Sequence, residues 1–185
     1  ERRRIASLRH LMKERDIGAL LVTRRENVRY LTGFTGSAGS VLLTPGRCFL
    51  ITDFRYKLQS RAETTGISVV VQKKDFPTAL QATAEKASVR TLWYDESSLT
   101  IEDLRKLKRQ GLALRACGDL AGQLRRRKDR WEIRNIRMSI RRAEEAFREL
   151  ARHIKPGAME RELALKLEFM MREKGARKAA FDTIV

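Results

Sequence analysis

Residues 40–52 read Ser40-Val41-Leu42-Leu43-Thr44-Pro45-Gly46-Arg47-Cys48-Phe49-Leu50-Ile51-Thr52. Two β-rich runs, Ser40 to Thr44 and Cys48 to Thr52, flank Pro45-Gly46-Arg47, whose proline and glycine suit a tight connection. The arrangement predicts a hairpin, so the sheet of this protein has an antiparallel pair. Upstream, Ala19-Leu20-Leu21-Val22 is a short continuous apolar run of the kind a buried strand shows. Before it, Ile5, Leu8, Leu11 and Met12 recur at helical spacing and predict a helix from Arg2 to Arg15, ended by Asp16-Ile17-Gly18. A polar stretch, Thr23 to Asn27, and a glycine-punctuated loop, Gly33-Phe34-Thr35-Gly36-Ser37-Ala38-Gly39, lead into the hairpin.

Downstream the periods alternate. A polar helical stretch from Phe54 to Thr64 precedes a strand at Val69 to Val71, and a helix from Pro77 to Ala87 precedes a strand at Thr91 to Tyr94. A helix from Thr100 to Arg109 and a strand from Leu112 to Ala116 complete the series. Strands separated by helical stretches of this length predict an α/β domain, a mixed β-sheet flanked by helices, over residues 1–122.

Residues 123–185 change character. Ile133, Ile136, Ile140, Ala143, Phe147, Leu150 and Ile154 recur every three or four positions and predict one seam on a long helix, stopped by Pro156-Gly157. A second helix, Glu160 to Lys174, carries Leu163, Leu167, Met170 and Met171 on one side and ends at Gly175, suited to a left-handed cap. A coiled coil would satisfy the first pattern. Two consecutive helices against a sheet satisfy it better, because Ala179 to Val185 reads as the start of a strand. Residues 123–185 are therefore expected to open a second domain that is incomplete.

Composition narrows the function classes. Of 185 residues, 42% are hydrophobic and 34% charged, which excludes a disordered chain and a membrane protein. No apolar run approaches the ~18 residues a bilayer span needs, and Glu1-Arg2-Arg3-Arg4 opens an amphipathic pattern and not a signal-peptide core. The expectation is a cytoplasmic protein with no membrane partner, its two cysteines, Cys48 and Cys117, buried and reduced. The net charge of +17 raises the question of nucleic acid. Gln123 to Arg142 holds nine basic residues against two acidic ones, yet only Trp131 could stack on a base, so a solvated helix face is the reading and nucleic acid is not an expected partner.

Catalytic constellations are scarce. His10 and His153 lie in no metal-binding spacing and read as surface residues, which argues against a metal site made wholly within this chain. The loop GFTGSAGS lacks the Lys-Ser/Thr of a P-loop and the glycine order of a dinucleotide turn, so its glycines serve a tight backbone path. Asp53, in Asp53-Phe54-Arg55-Tyr56, either orients a ligand or caps the helix that begins there.

Two separate blocks carry a family resemblance. Ala19 to Thr23 (ALLVT), Glu26 to Ser37 (ENVRYLTGFTGS) and Phe49 to Tyr56 (FLITDFRY) resemble the N-terminal domain of bacterial Xaa-Pro aminopeptidases of the creatinase/prolidase family. Arg125 to Ile136 (RRRKDRWEIRNI), Ala143 to Phe147, Lys155-Pro156-Gly157, Glu162 to Glu168 and Phe181 to Val185 resemble, in the same order, the opening of its α+β "pita-bread" catalytic domain. The fold implied is a creatinase-type N-terminal domain over residues 1–122, followed at 123–185 by two helices of a truncated pita-bread domain.

The resemblance implies a metallopeptidase that removes the residue preceding a proline at a peptide N-terminus, with two divalent ions, usually manganese. The family's ligands, two Asp, one His and two Glu, all fall beyond the segment resembling Phe181 to Val185. No metal ligand is carried over, Asp182 included, no cofactor is expected in this chain, and the chain alone is expected to be inert. It also implies a homodimer or higher assembly in which a loop of the N-terminal domain approaches the partner's active site. That loop is Gly33 to Ser40. Phe34 offers either an apolar wall for substrate or a plug for its own core, and Thr35 and Ser37 can bond a peptide backbone; Arg55 and Tyr56 join them as substrate-proximal residues. Alternatives are a prolidase fragment, a creatinase fragment, or a catalytically dead relative serving as a nucleic-acid- or protein-binding module.

Overall fold

In the computed structural model, residues 1–181 are described; Asp182 to Val185, most of the strand expected from Ala179, lie outside the described residues. The chain divides into two units, the first covering Glu1–Arg127. The first unit is built on a six-stranded mixed sheet. Its strands are β1 (Leu20–Val22), β2 (Gly39–Leu43), β3 (Cys48–Thr52), β4 (Ser68–Val71), β5 (Thr91–Tyr94) and β6 (Ala113–Ala116), in the order β4-β3-β2-β1-β5-β6. β2 pairs antiparallel with β1 and with β3, whereas β1–β5, β3–β4 and β5–β6 are parallel. The hairpin register sets Val41 opposite Leu50 and Leu43 opposite Cys48.

Side chains alternate between the two faces of a strand, and here helices cover both. Leu20, Val22, Val41, Leu43 and Leu50 point to the face covered by α1 (Arg2–Glu14), α2 (Arg25–Thr32) and α6 (Leu120–Arg125), where they meet Leu8, Met12, Leu31 and Leu120. Leu21, Leu42, Phe49 and Ile51 point the other way, to Leu80 and Ala84 of α4 (Phe76–Lys86) and Leu107 of α5 (Ile101–Arg109). The continuous apolar runs of β1, β2 and β3 follow from this double burial. At about 1.5–3 kcal/mol per buried aliphatic side chain, the central strands supply much of the drive to fold.

Two helices had gone unread in the sequence. Thr23 to Asn27 belongs largely to the start of α2, whose apolar face is only Val28 and Leu31, with Asn27 and Thr32 buried beside them; Gly33, at φ 80°, ends it in the left-handed region. α6 is six residues long, with Asp119 accepting a hydrogen bond at its N-terminus. The expected Phe54–Thr64 stretch is a 3-10 turn, Phe54–Tyr56, running into α3 (Lys57–Glu63). Cys48 is buried, but Cys117 is only half-buried, at the exposed end of β6; burial pushes both thiols up to about 11.

In the second unit, which begins at Lys128, α7 spans Arg130–Leu150 and α8 spans Glu160–Glu173. Asp129 caps α7 through the Glu132 amide, while the Glu132 carboxylate returns to the Asp129 amide. α7 ends at Leu150 in a 3-10 turn, Ala151–His153, so Ile154 falls outside the helix that the seam had assigned it. The helices meet through Ala146, Leu150 and Met170, with Leu163, Leu167 and Met171 at the margin. Ile133, Ile136, Ile140 and Phe147 stay between 40% and 55% exposed. No helix among the described residues is long and apolar enough to cross a membrane.

Candidate functional site

The loop that joins α2 to β2, Gly33 to Ala38, is held by α3 and the 3-10 turn. The Thr35 amide and hydroxyl donate to Glu63 Oε2 and Oε1, each at 2.7 Å. Gln59, one helical turn before Glu63, donates to both Thr35 Oγ1 (2.9 Å) and Glu63 Oε1 (3.0 Å). Burial raises the Glu63 pKa, but the bonds from Thr35 and Gln59 and the nearby Arg29 charge outweigh it and hold the carboxyl below its ordinary range.

Phe34 is 1% exposed and packs in the core under the α1–α2 face. Its ring meets Tyr56 edge-on, with centroids 5.6 Å apart and planes at 88°. This is the plug geometry, and the Phe34 ring is turned away from solvent. Gly36 lies over both rings: a Cβ there would come within 2.8 Å of Tyr56 Cδ1 and would strike the Phe34 ring. Gly39 is constrained likewise, since its Cβ would lie 2.8 Å from Phe34 Cε1. Those two glycines are demanded by close approach to rings, and Gly33 by its positive φ.

The outer layer of the site is polar. The exposed Ser37 hydroxyl sits 2.6 Å from the Tyr56 hydroxyl, and this hydrogen bond draws the Tyr56 phenol below its ordinary pKa. Arg55 lies over the Tyr56 ring at 5.5 Å and forms a two-pronged pair with Asp53, Nη2 donating to Oδ2 at 2.7 Å and Nε to Oδ1 at 3.1 Å. Asp53 also accepts the Arg55 amide at 2.9 Å, so it caps the 3-10 turn; Arg55 holds its carboxyl below the ordinary range. Of the two roles left open for Asp53, the structure displays the cap.

Phe34, Thr35, Ser37, Arg55 and Tyr56 thus converge on one spot, and Gln59 and Glu63 belong with them. Sequence reading missed the last two because nothing in a polar, 28-residue-distant helix announces a partner for Thr35. Their spacing of four, one turn of α3, was the available signal. Phe54 and Leu58, 77% and 79% exposed, give this region its apolar surface in place of Phe34.

No three His, Cys, Asp or Glu side chains among the described residues converge so as to hold a metal ion. His10 is exposed and lies 3.2 Å from Glu14 on α1; His153 is exposed in the turn after α7. The residues present do not fit a two-metal centre, and no hydrolytic step is assigned to them.

Residues 4–127 match the creatinase/prolidase N-terminal domain, and residues 134–185 match metallopeptidase family M24. An uncharacterised peptidase of Bacillus subtilis, YqhT, is 31% identical over 98% of this chain and 52% of its own length. The Xaa-Pro dipeptidase of Bacillus anthracis superposes with a TM-score of 0.93 at 29% identity, covering 97% of this chain and 51% of that one. The X-Pro aminopeptidase of Thermotoga maritima does so at 0.82 and 32%, covering 89% and 49%. The chain spans about half the length of these relatives. A creatinase-type sheet domain over two thirds of the chain, followed in order by a segment of the M24 peptidases, places this chain in the creatinase/prolidase family.

Proposed function

We propose that this chain is the N-terminal portion of a metal-dependent aminopeptidase that releases the N-terminal residue from peptides with proline in second position. The observation that carries the reading is the ordered pair of family segments on a chain half as long as its relatives. The two divalent ions, manganese in this reading, would be held by residues outside this chain, and the chemistry they would supply there is a hydroxide nucleophile and Lewis-acid polarisation of the scissile carbonyl. The 185 residues alone are inert. Their role is to shape the substrate site and to assemble the protein as a homodimer or larger oligomer, in the cytoplasm.

Within that role Phe34, Thr35, Ser37, Arg55 and Tyr56 act as one body. Phe34 works from beneath as the support on which Tyr56 rests, while Ser37, Tyr56 and Arg55 present the groups that can reach a peptide backbone or carboxylate. Glu63 keeps the loop in place.

A prolidase is the second reading, favoured by the B. anthracis dipeptidase at a TM-score of 0.93. One experiment separates them: the reading frame extended past Val185 is purified and given manganese with Xaa-Pro dipeptides and Xaa-Pro-Yaa tripeptides. Tripeptide cleavage supports the aminopeptidase. Cleavage of dipeptides alone transfers the assignment to prolidase, and cleavage of neither overturns both in favour of a binding module.

A further inference from the structure

At the end of the sheet where the parallel strands β1 and β5 begin, an open depression of about 550 Å³ is walled by three separate stretches of chain. These are Gly18 ahead of β1, the Thr44–Arg47 turn of the hairpin, and the reversal from Lys86 to Arg90 that follows α4. Ser88, at φ 56°, makes that reversal sharp; the Val89 amide bonds back to the Ala84 carbonyl at 2.8 Å, and the chain then enters β5. The volume lies in the range of small-molecule sites.

The wall has one sign of charge. Arg47, Lys86 and Arg90 line it, each exposed, and none of its lining residues is Asp or Glu. Among the described residues, none of these three side chains is paired with a carboxylate. Lys86 has an ordinary reason to be there, since it completes the last turn of α4. Arg47, in the hairpin turn, and Arg90, at the entry to β5, place two more positive charges around the same concavity, and an anion bound there would offset their mutual repulsion. Trp93 contributes an aromatic wall, and Arg115 lies over its ring at 5.7 Å.

We propose that this depression binds a small polyphosphate anion of the pyrophosphate class through Arg47, Lys86 and Arg90. Phosphate oxygens accept charge-assisted hydrogen bonds from ammonium and guanidinium groups, and a pyrophosphate carries several such oxygens and more than one negative charge to set against three cations. The site is independent of the peptidase reading: it lies at the opposite end of β1 from the α2 junction and shares no residue with the Phe34–Glu63 cluster.

Calorimetric titration of the 185-residue chain with inorganic pyrophosphate tests it, at low ionic strength and with ADP as a parallel ligand. Losing one charge-assisted contact costs about tenfold in affinity. The R47Q/K86Q/R90Q variant, whose altered side chains are all exposed, is therefore expected to bind pyrophosphate at least about tenfold more weakly, with an unchanged melting temperature. A control, K57Q/K73Q/K74Q, removes the same charge beyond the far ends of β3 and β4 in the same unit and is expected to weaken binding less than the site variant does. Pyrophosphate and ADP should bind within about threefold of each other if the phosphate chain is what is recognised. Equal weakening by both triples would reduce the effect to the general charge of the chain and overturn the site. ADP binding tighter than pyrophosphate by more than about tenfold would overturn the phosphate-only recognition.

Discussion

Glu63 receives both the amide and the hydroxyl of Thr35, each at 2.7 Å, across 28 residues of sequence. One carboxylate thereby ties the loop after α2 to the last turn of α3. The loop's placement depends on this side chain more than on any backbone ladder, because the loop lies between a helix and a strand and belongs to neither.

Replacing Glu63 by Ala removes a charge-assisted acceptor and leaves the half-buried Thr35 amide without its partner. A loss of about 2 kcal/mol is expected, confined largely to the loop. Hydrogen exchange should show it as faster exchange at Thr35 with little change in β2 and β3; uniform acceleration across the sheet would contradict a local role.

The same group sets a pH dependence. Its folded pKa is lowered below the usual 4.5, so its contribution is fully present above that value and is lost as pH falls through the folded pKa. Thr35 protection measured from pH 7 downward should hold to about 4.5 and then fall, and the fall should vanish in Glu63→Gln. Protection that declines between pH 7 and 5 would point to a different group.

Gly36→Ala tests the contact with the rings. The added methyl has to displace Phe34 or Tyr56 in a packed core, at a cost of about 1–3 kcal/mol, although the Gly36 backbone is not among the left-handed positions. Phe34→Ala is expected to cost about 3–5 kcal/mol through the cavity it leaves. Urea unfolding of both variants measures this; a neutral Gly36→Ala would mean that the rings are free to move.

Much of this fold could be read from one dimension, and the failures have physical reasons. The hairpin Ser40–Thr52 and the strand Thr91–Tyr94 were legible because apolar β-rich runs sat between turn residues. α2 was not, since half of its buried face is Asn27 and Thr32, residues that a hydrophobic pattern ignores. The seam on α7 was legible as a period but misleading at Ile154, where the helix had already ended. In the site, the residues from Phe34 to Ser37 and from Arg55 to Tyr56 were found through family resemblance. Glu63 and Gln59 join them only through tertiary geometry.

Ile136, Ile140 and Phe147 of α7 and Phe169 of α8 are 46–62% exposed, and bare apolar side chains on a helix face favour association. The 185-residue chain is expected to self-associate through them. Light scattering should show a smaller species after removal of residues 128–185; an unchanged oligomeric state would move the contact to the sheet domain.

The central claim is that this chain supplies architecture to a peptidase whose ions lie outside it. The most direct measurement is release of the N-terminal residue from an Xaa-Pro-Yaa tripeptide by the purified 185-residue chain with added manganese, beside the reading frame extended past Val185. The account predicts no release by the chain and manganese-dependent release by the extended protein. Manganese-dependent release by the 185 residues alone, in a preparation free of host enzyme, would contradict it.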